Sequence, residues 1–406
     1  MELTEHRDLR GGRPCWIAAD DNTTTPDSLP DGEAEIAIIG AGVMGAMLAD
    51  RLTAAGRQVV LLDRRPPAHG STAASTALVM WGADVPLTHL AARIGEEEAA
   101  RRWTRVFATV RRLAEHIDAS GIECGRIDRP ELYLAGTLLD DAALAAEGEM
   151  RRRAGLPSTW LDADAVAARF GIAPRAALLS EGCFEVDPVR LTLGLLGLAR
   201  RAGARACFPV DVIRIEPGDD ALALHLADGR SLRARDVIIA SGYERATWFL
   251  PDAFTIGASY AIATAPGTAP LWRDNAMIWE ASSPYLYTRA TADGRIIAGG
   301  EDEDFADARQ RDARIGTKSG TIAAKLATMI DVADISVDCA WAAAFGASPD
   351  GLPAIGRAAH HDRLWLAAGF GGNGVSFASL GTELIVAALS GTPDPDAACF
   401  DPYRFG

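Results

Sequence analysis

The chain predicts an α/β fold: a Rossmann-like, dinucleotide-binding domain joined to a second, α+β domain built on an antiparallel sheet. Three observations carry that prediction. The apolar run Glu35-Ile36-Ala37-Ile38-Ile39 passes into Gly40-Ala41-Gly42-Val43-Met44-Gly45 and an amphipathic stretch reaching Leu52, closed by Gly56. A second apolar run, Gln58-Val59-Val60-Leu61-Leu62, ends in Asp63. Residues 256–300 then alternate in β fashion and carry three of the six tyrosines. In the first motif Gly40 permits a tight turn, Gly42 lets a pyrophosphate approach the backbone and Gly45 lets helix pack on strand. The unpaired N–H groups of the helix face the phosphates. Asp63, about 20 residues on, is placed to accept hydrogen bonds from a ribose.

The remaining elements follow in order. Gly70-Ser71-Thr72-Ala73-Ala74-Ser75-Thr76-Ala77 is a run of small and hydroxylated residues, read either as a close approach to a ligand or as an ordinary capped helix start. Residues 94–119 form a charged amphipathic helix with Trp103, Val106, Phe107, Val110 and Leu113 on its core face. Glu131-Leu132-Tyr133-Leu134 is a short strand, followed by an alanine-rich helix, a strand at 159–162 and a second short helix. Asp187-Pro188 opens a helix, and strands follow at 210–215, 222–226 and 235–242, the last ending in Ala240-Ser241-Gly242. Ile322, Leu326 and Met329 mark a helix. Two strands, 338–345 and 363–368, lead into Gly369-Phe370-Gly371-Gly372-Asn373-Gly374 and an apolar helix to about Leu389.

A chain of 406 residues with 49% apolar residues has material for two cores. A net charge of −15 without a basic run argues against nucleic acid and anionic membrane surfaces as partners. The six cysteines show no CxxC and no metal-ligand spacing, so no metal site is expected and a reducing cytoplasm fits. No apolar stretch approaches the roughly 20 residues that span a bilayer. Residues 1–33 read as an arm wrapping the surface, with Trp16 as its anchor. Oligomeric state is not encoded in any local pattern.

Taken together, the segments resemble the D-amino-acid oxidase family of flavoproteins, which includes glycine, sarcosine and γ-glutamylputrescine oxidases. The likeness runs from about Glu33 to Leu389. It rests on the Gly40–Gly45 motif with Asp63, the 71–77 run, Glu185-Val186-Asp187-Pro188, the strand ending at Gly242, Trp341 followed by Pro349-Asp350-Gly351-Leu352-Pro353-Ala354-Ile355-Gly356, and the 369–374 loop. The resemblance implies FAD as cofactor and a GR2-type, Rossmann-like FAD-binding domain assembled from 34–130, 180–255 and 336–406. Segments 131–179 and 256–335 then form the substrate domain. The implied cofactor contacts are Gly40, Gly42, Val43, Met44, Gly45, Asp63, Arg64, Ser71, Thr72, Ser75, Thr76, Ala77, Val212, Ser241, Gly242, Gly369, Gly371, Gly372, Asn373, Gly374 and Val375.

The implied chemistry is oxidation of a C–N bond in a primary or secondary amine or amino acid, by hydride transfer to flavin N5. Tyr287, Arg289 and Trp341 are the candidate catalytic residues, with Tyr260, Trp279, Tyr285 and Phe345 as pocket walls. Arg289 reads either as a bidentate clamp for a substrate carboxylate or as a solvated outer-face arginine. Cys339, two residues before Trp341, matches the position of a flavin-linked cysteine in some sarcosine oxidases; a packed thiol is the alternative. Two departures stand out. The arginine that amino-acid oxidases carry shortly after the Trp341 position is replaced by Ala342-Ala343-Ala344-Phe345-Gly346, and the strand 296–302 lacks the oxygen-activating lysine of sarcosine oxidases. A D-amino-acid dehydrogenase serving an electron carrier, an NAD(P)-dependent enzyme using Arg64 and Arg65, and a non-catalytic flavoprotein subunit are the competing readings.

Overall fold

The computed structural model describes residues 7–17, 24–244, 249–359 and 361–406. Parallel pairing places the strands Arg205–Cys207, Val59–Leu62, Ala34–Ile39, Ser231–Ile239 and His361–Ala368 side by side in that order. Their apolar runs are buried on both faces, as a parallel sheet requires. On one side lie the helices Val43–Ala54, Pro188–Arg201 and Gly374–Leu389. On the other, the hairpin strands Val212–Glu216 and Leu222–Leu226 cover a separate apolar cluster. Four strand ends, at Ile39, Leu62, Ile239 and Ala368, open on the same edge of the sheet. That carboxyl edge is where an open α/β sheet places a ligand.

The second sheet is large and mixed. Cys339–Ala347, Thr255–Ala263, Ile296–Glu303, Leu286–Ala290 and Met277–Glu280 run antiparallel in sequence, then Met277–Glu280 pairs parallel with Ile127–Leu134, which pairs with Ala177–Glu185. Helix Ile315–Met329 packs on one face through Ile322, Leu326 and Met329. The other face looks towards the parallel sheet. The arm contributes the edge strand Arg10–Gly12 beside Cys339–Ala347.

The elements differ from the sequence reading mainly at their ends. The 130/131 and 179/180 divisions fall inside the strands Ile127–Leu134 and Ala177–Glu185, and Cys339–Ala347 pairs with Thr255–Ala263 in the large sheet rather than with the parallel one. Composition shifts mark where a helix begins, but a strand shared between segments carries no such mark. The 71–77 run opens as a short helix, Ser71–Ala74, without a side-chain cap.

Gly45 shows how tightly the first turn is built. A Cβ there would lie 1.9 Å from the Gly40 carbonyl oxygen, a backbone atom that cannot swing aside. Gly45→Ala is therefore expected to cost about 1–3 kcal/mol or more of stability, read as a lower urea midpoint.

Candidate active site

A long cavity runs along the carboxyl edge of the parallel sheet and under the inner face of the large one. Its first end is built by Asp63, Arg64, Arg65, Val212, Ser241, Gly242 and Glu244. Asp63 accepts hydrogen bonds from the backbone N–H groups of Ala41 (2.7 Å) and Arg65 (2.8 Å), which locks the glycine turn to the next strand. Burial raises its pKa, and the two N–H groups oppose that shift. Arg64 and Arg65 both reach the Glu244 carboxylate, Arg65 at 2.7 Å. With Glu244 between them, these guanidiniums are engaged rather than presented to a ribose phosphate, which weighs against the NAD(P) reading.

The middle of the cavity suits a diphosphate. Helix Val43–Ala54 has Gly42 at its N-cap, no side-chain cap and no acid in its first turn; helix Gly374–Leu389 has Asn373 at its N-cap, and shares the other two features. Both helices thus offer unsatisfied N–H groups and the positive end of a dipole to the cavity. Val43 N–H is 3.0 Å from Thr72 Oγ1, and the Ser71 hydroxyl lining the same space is buried without a hydrogen-bond partner. A Cβ on Gly42 would sit 3.0 Å from Thr72 Oγ1, so a larger residue there would crowd the passage. An orphaned hydroxyl, two uncapped helix starts and a glycine-lined passage fit the diphosphate of FAD. The residues placed to hold the cofactor along this length are Gly40, Gly42, Val43, Met44, Ser71, Thr72, Ser75, Thr76 and Ala77, with Gly369, Gly372, Asn373, Gly374 and Val375 opposite them. Gly45 and Gly371 do not line the cavity. Gly45 packs behind the turn, and a Cβ on Gly371 would meet the Gly351 carbonyl and the Phe377 ring.

The far end is walled by Trp279, Tyr285, Tyr287, Phe345, Ser259 and Tyr243, with Asp84 among them. Trp279 stacks on Tyr133 at 4.3 Å, and its indole N–H is held by the buried Glu131. The Tyr287 ring lies across the neighbouring strand because Gly299 opposite has no Cβ to block it. Tyr285 donates to Asp302 Oδ2 at 2.8 Å. Burial pushes the Tyr287 and Tyr243 phenols up to about 12, so both stay neutral donors. Asp84 Oδ2 accepts from Gly372 N–H at 2.7 Å. Its carboxyl is pushed up to about 6, first by burial, with the Gly372 N–H opposing and the charge of Asp302 adding. Asp84, Asp302, Ser259, Tyr243 and Glu244 were not singled out from sequence. Glu244 and Tyr243 directly follow the Ser241-Gly242 strand end, a usable signal; Asp84 sits alone in the apolar stretch Trp81-Gly82-Ala83, where nothing local marks it.

Four expected site residues lie elsewhere. Arg289 is fully buried beside the cavity, donating to the carbonyls of Thr76 (2.6 Å), Val186 (2.7 Å) and Ala290 (3.0 Å), with Glu185 at 3.6 Å. It has neither the free fork nor the access to clamp a substrate. Trp341 donates its indole N–H to the Ala74 carbonyl at 2.9 Å and packs with Ala261, Ile297 and Trp16. Cys339 sits in that same cluster and does not line the cavity, with burial raising its pKa, a setting that favours the packed-thiol reading over the flavin-linked one. Tyr260 points to the opposite face, pairing in register with Ala342 and packing among the residues under helix Ile315–Met329. Trp16 anchors the arm as expected, donating to the Ser75 carbonyl at 2.9 Å. Among the described residues no cluster of His, Cys, Asp and Glu is placed to hold a metal, and no helix is long and apolar enough to cross a membrane.

Two outcomes follow from this geometry. Arg289→Met leaves the Thr76 and Val186 carbonyls without their charged donor, so stability should drop by about 2 kcal/mol or more and flavin should be lost more readily on dilution. Substrate dependence on an acidic group should not change, which separates a backbone brace from a carboxylate clamp. For Asp84 the folded pKa lies above the usual carboxylate range, so its contribution is complete at low pH and is lost as pH rises through about 6. Asp84→Asn keeps an acceptor for Gly372 and removes the charge. In urea unfolding of the cofactor-free protein, the variant should be more stable by about 2–3 kcal/mol at pH 8, the gain shrinking steadily towards pH 4.

Comparison with known proteins agrees with this architecture. The sequence is 25% identical over 368 residues to a glycine oxidase from Bacillus licheniformis, covering 88% of this chain and 93% of that protein. It is 27% identical over 412 residues to a monomeric sarcosine oxidase from Streptomyces avermitilis, covering 91% and 97%. Among solved structures, glycine oxidase from Geobacillus kaustophilus superposes with a TM-score of 0.75 at 20% identity, covering 92% of this chain and all of that one. L-proline dehydrogenase from P. horikoshii superposes with a TM-score of 0.73 at 19% identity, covering 93% and 98%. Residues 35–388 match the family described as FAD dependent oxidoreductase. With that match spanning nearly all of both sheets and of the cavity lining, the chain belongs to the FAD dependent oxidoreductase family, and FAD is its cofactor.

Proposed function

We propose that the chain oxidises the C–N bond of a primary or secondary amine, in the manner of the glycine and sarcosine oxidases it is similar to, and that it does so in the cytoplasm, where its six free cysteines would stay reduced. The observation that carries this reading is the aromatic chamber of Trp279, Tyr285, Tyr287 and Phe345 at one end of the cofactor cavity, beside the 369–374 loop. Bound FAD supplies the acceptor for a hydride leaving the carbon next to nitrogen. The chamber's part is to exclude water and hold that C–H bond near the cofactor, which converts a bimolecular encounter into a positioned one. The substrate nitrogen gives up a proton to solvent as C–N becomes C=N, and water hydrolyses the imine to a carbonyl compound and ammonia (from a primary amine) or a smaller amine (from a secondary one). Tyr287, neutral across the working pH range, orients the substrate by hydrogen bonding without taking up that proton. Trp279 forms a rigid wall because Tyr133 stacks behind it and Glu131 holds its indole N–H.

The acceptor of the electrons is a separate question, and one observation favours a carrier over oxygen. The only lysines, Lys318 and Lys325, are both paired with Glu301 and neither lines the cavity. No lysine ammonium is therefore at hand to stabilise a reduced oxygen species.

Purified protein should show the two visible bands of oxidised flavin. Anaerobic mixing with a panel of primary and secondary amines should bleach the longer-wavelength band with at least one of them. A coloured protein that no amine bleaches would overturn the reading in favour of a non-catalytic flavoprotein. Reoxidation much faster with a soluble quinone than with air would support the carrier.

A further inference from the structure

The substrate end of the cavity holds acids and no base. Asp84 lines it directly, and Asp302 stands behind Tyr285 and Ser259, both of which line it. The two carboxylates act on the same rings, each raising the pKa of Tyr285 and of Tyr243. The cationic residues lining the cavity, Arg64 and Arg65, are at its other end and are held by Glu244. Arg289, the one arginine expected here, is spent on backbone carbonyls. Lys318 reaches towards Asp302 from the far face of the sheet but is itself held by Glu301 and Glu303.

We propose that the substrate is an amine bearing a second, cationic nitrogen and no carboxylate, its distal cation held by Asp84 against the face of Tyr285, with Asp302 behind that ring. The proposal rests on the amine-oxidation reading above and adds the substrate class. Three features support it. Asp302 Oδ1 is buried with no hydrogen-bond partner, an unmet acceptor that a burial cost of this kind leaves waiting for a donor. Tyr285 and Tyr287, with ring centroids 5.9 Å apart, and Trp279 opposite make a partial aromatic box, the surroundings in which an ammonium is attracted to ring faces. A carboxylate-bearing substrate would meet Asp84 and Asp302 with like charge and no cation to offset it, a juxtaposition that excludes rather than binds.

The same geometry explains why the acids do not simply serve as a proton acceptor. Asp84 is tied to Gly372 N–H and Asp302 to Tyr285, so each has one oxygen already engaged. A shared base would act on every amine equally, whereas a cation site acts only on those with a second charge.

The test is rapid anaerobic mixing of the FAD-loaded protein with 1,4-diaminobutane, butylamine and sarcosine, in native protein and in Asp84→Asn. The expected result is half-maximal bleaching at the lowest concentration for 1,4-diaminobutane. Asp84→Asn should raise that concentration about tenfold to a hundredfold for 1,4-diaminobutane, and raise it by much less for butylamine. Tetramethylammonium, which cannot be oxidised, should compete with the diamine and perturb the flavin spectrum in native protein, and less so in the variant. Sarcosine acting at lower concentration than the diamine would overturn the proposal while leaving amine oxidation standing. A fall in limiting rate for both amines in Asp84→Asn would overturn it in favour of a base. Spectral binding of tetramethylammonium with no bleaching by any amine would keep the cation site and sink amine oxidation instead.

Discussion

The working shape of this protein depends on three consecutive carbonyls. Those of Ala74, Ser75 and Thr76 are held by the indole N–H of Trp341, the indole N–H of Trp16 and the guanidinium of Arg289. The donors come from one strand of the large sheet, the N-terminal arm and a second strand of that sheet, while the acceptors belong to the loop leaving the parallel one. A buried carbonyl without a donor is costly, so each bond fixes the loop as well as satisfying it. Because Ser75, Thr76 and Ala77 also line the cavity, the contact that joins the two sheets is the contact that sets the floor of the site. Ala77 adopts a positive φ of 52° there, a conformation that alanine keeps only where its surroundings impose it.

That joint separates two electrostatic regimes in one cavity. On the parallel-sheet side, two helix N-termini and an orphaned serine hydroxyl face the cavity, and two arginines are already balanced by Glu244. On the large-sheet side, Asp84 lines the cavity and the walls are aromatic. This polarity follows from fixed residues and helix dipoles, so it exists before any ligand arrives and needs little reorganisation when one does.

What was legible in the sequence is what local spacing determines. The glycine turn, Asp63, the hydroxyl run and the 369–374 loop each carry their function within about ten residues, and nearly all of them line the cavity. The misplaced residues failed in a more specific way. Tyr285, Tyr287 and Arg289 alternate along one strand and share a face, as do Cys339, Trp341, Ala343 and Phe345 along another. The face was readable from the alternation. Where the cavity stops along that face was not, because the 74–76 loop, more than 200 residues away in sequence, covers the ends that carry Arg289, Trp341 and Cys339. Tyr260 is the opposite error: its neighbour Ser259 takes the cavity face, and the larger side chain goes under the helix.

Asp302 shows why the acidic half of the site could not be read at all by period-two counting. Along Ile296–Glu303, Ile296 and Ala298 face helix Ile315–Met329 while Ile297 faces the inner side. Strict alternation would send Asp302 to the helix and Glu301 to the cavity. The register against Thr255–Ala263 shifts between Ala258 and Tyr260, with Gly300 at φ 132° and Glu301 at φ 58°. One bulge reverses the facing of everything after it. Glu301 turns outward and meets both lysines, while Asp302 turns inward to Tyr285 and Ser259. The exchange is electrostatically consistent, since the acid that loses access to the cavity is neutralised by the only two lysines in the chain. The acid on the inner side keeps one carboxylate oxygen without a hydrogen-bond partner. A backbone irregularity, invisible to composition and periodicity, is thus what sets a second acid directly behind the chamber wall.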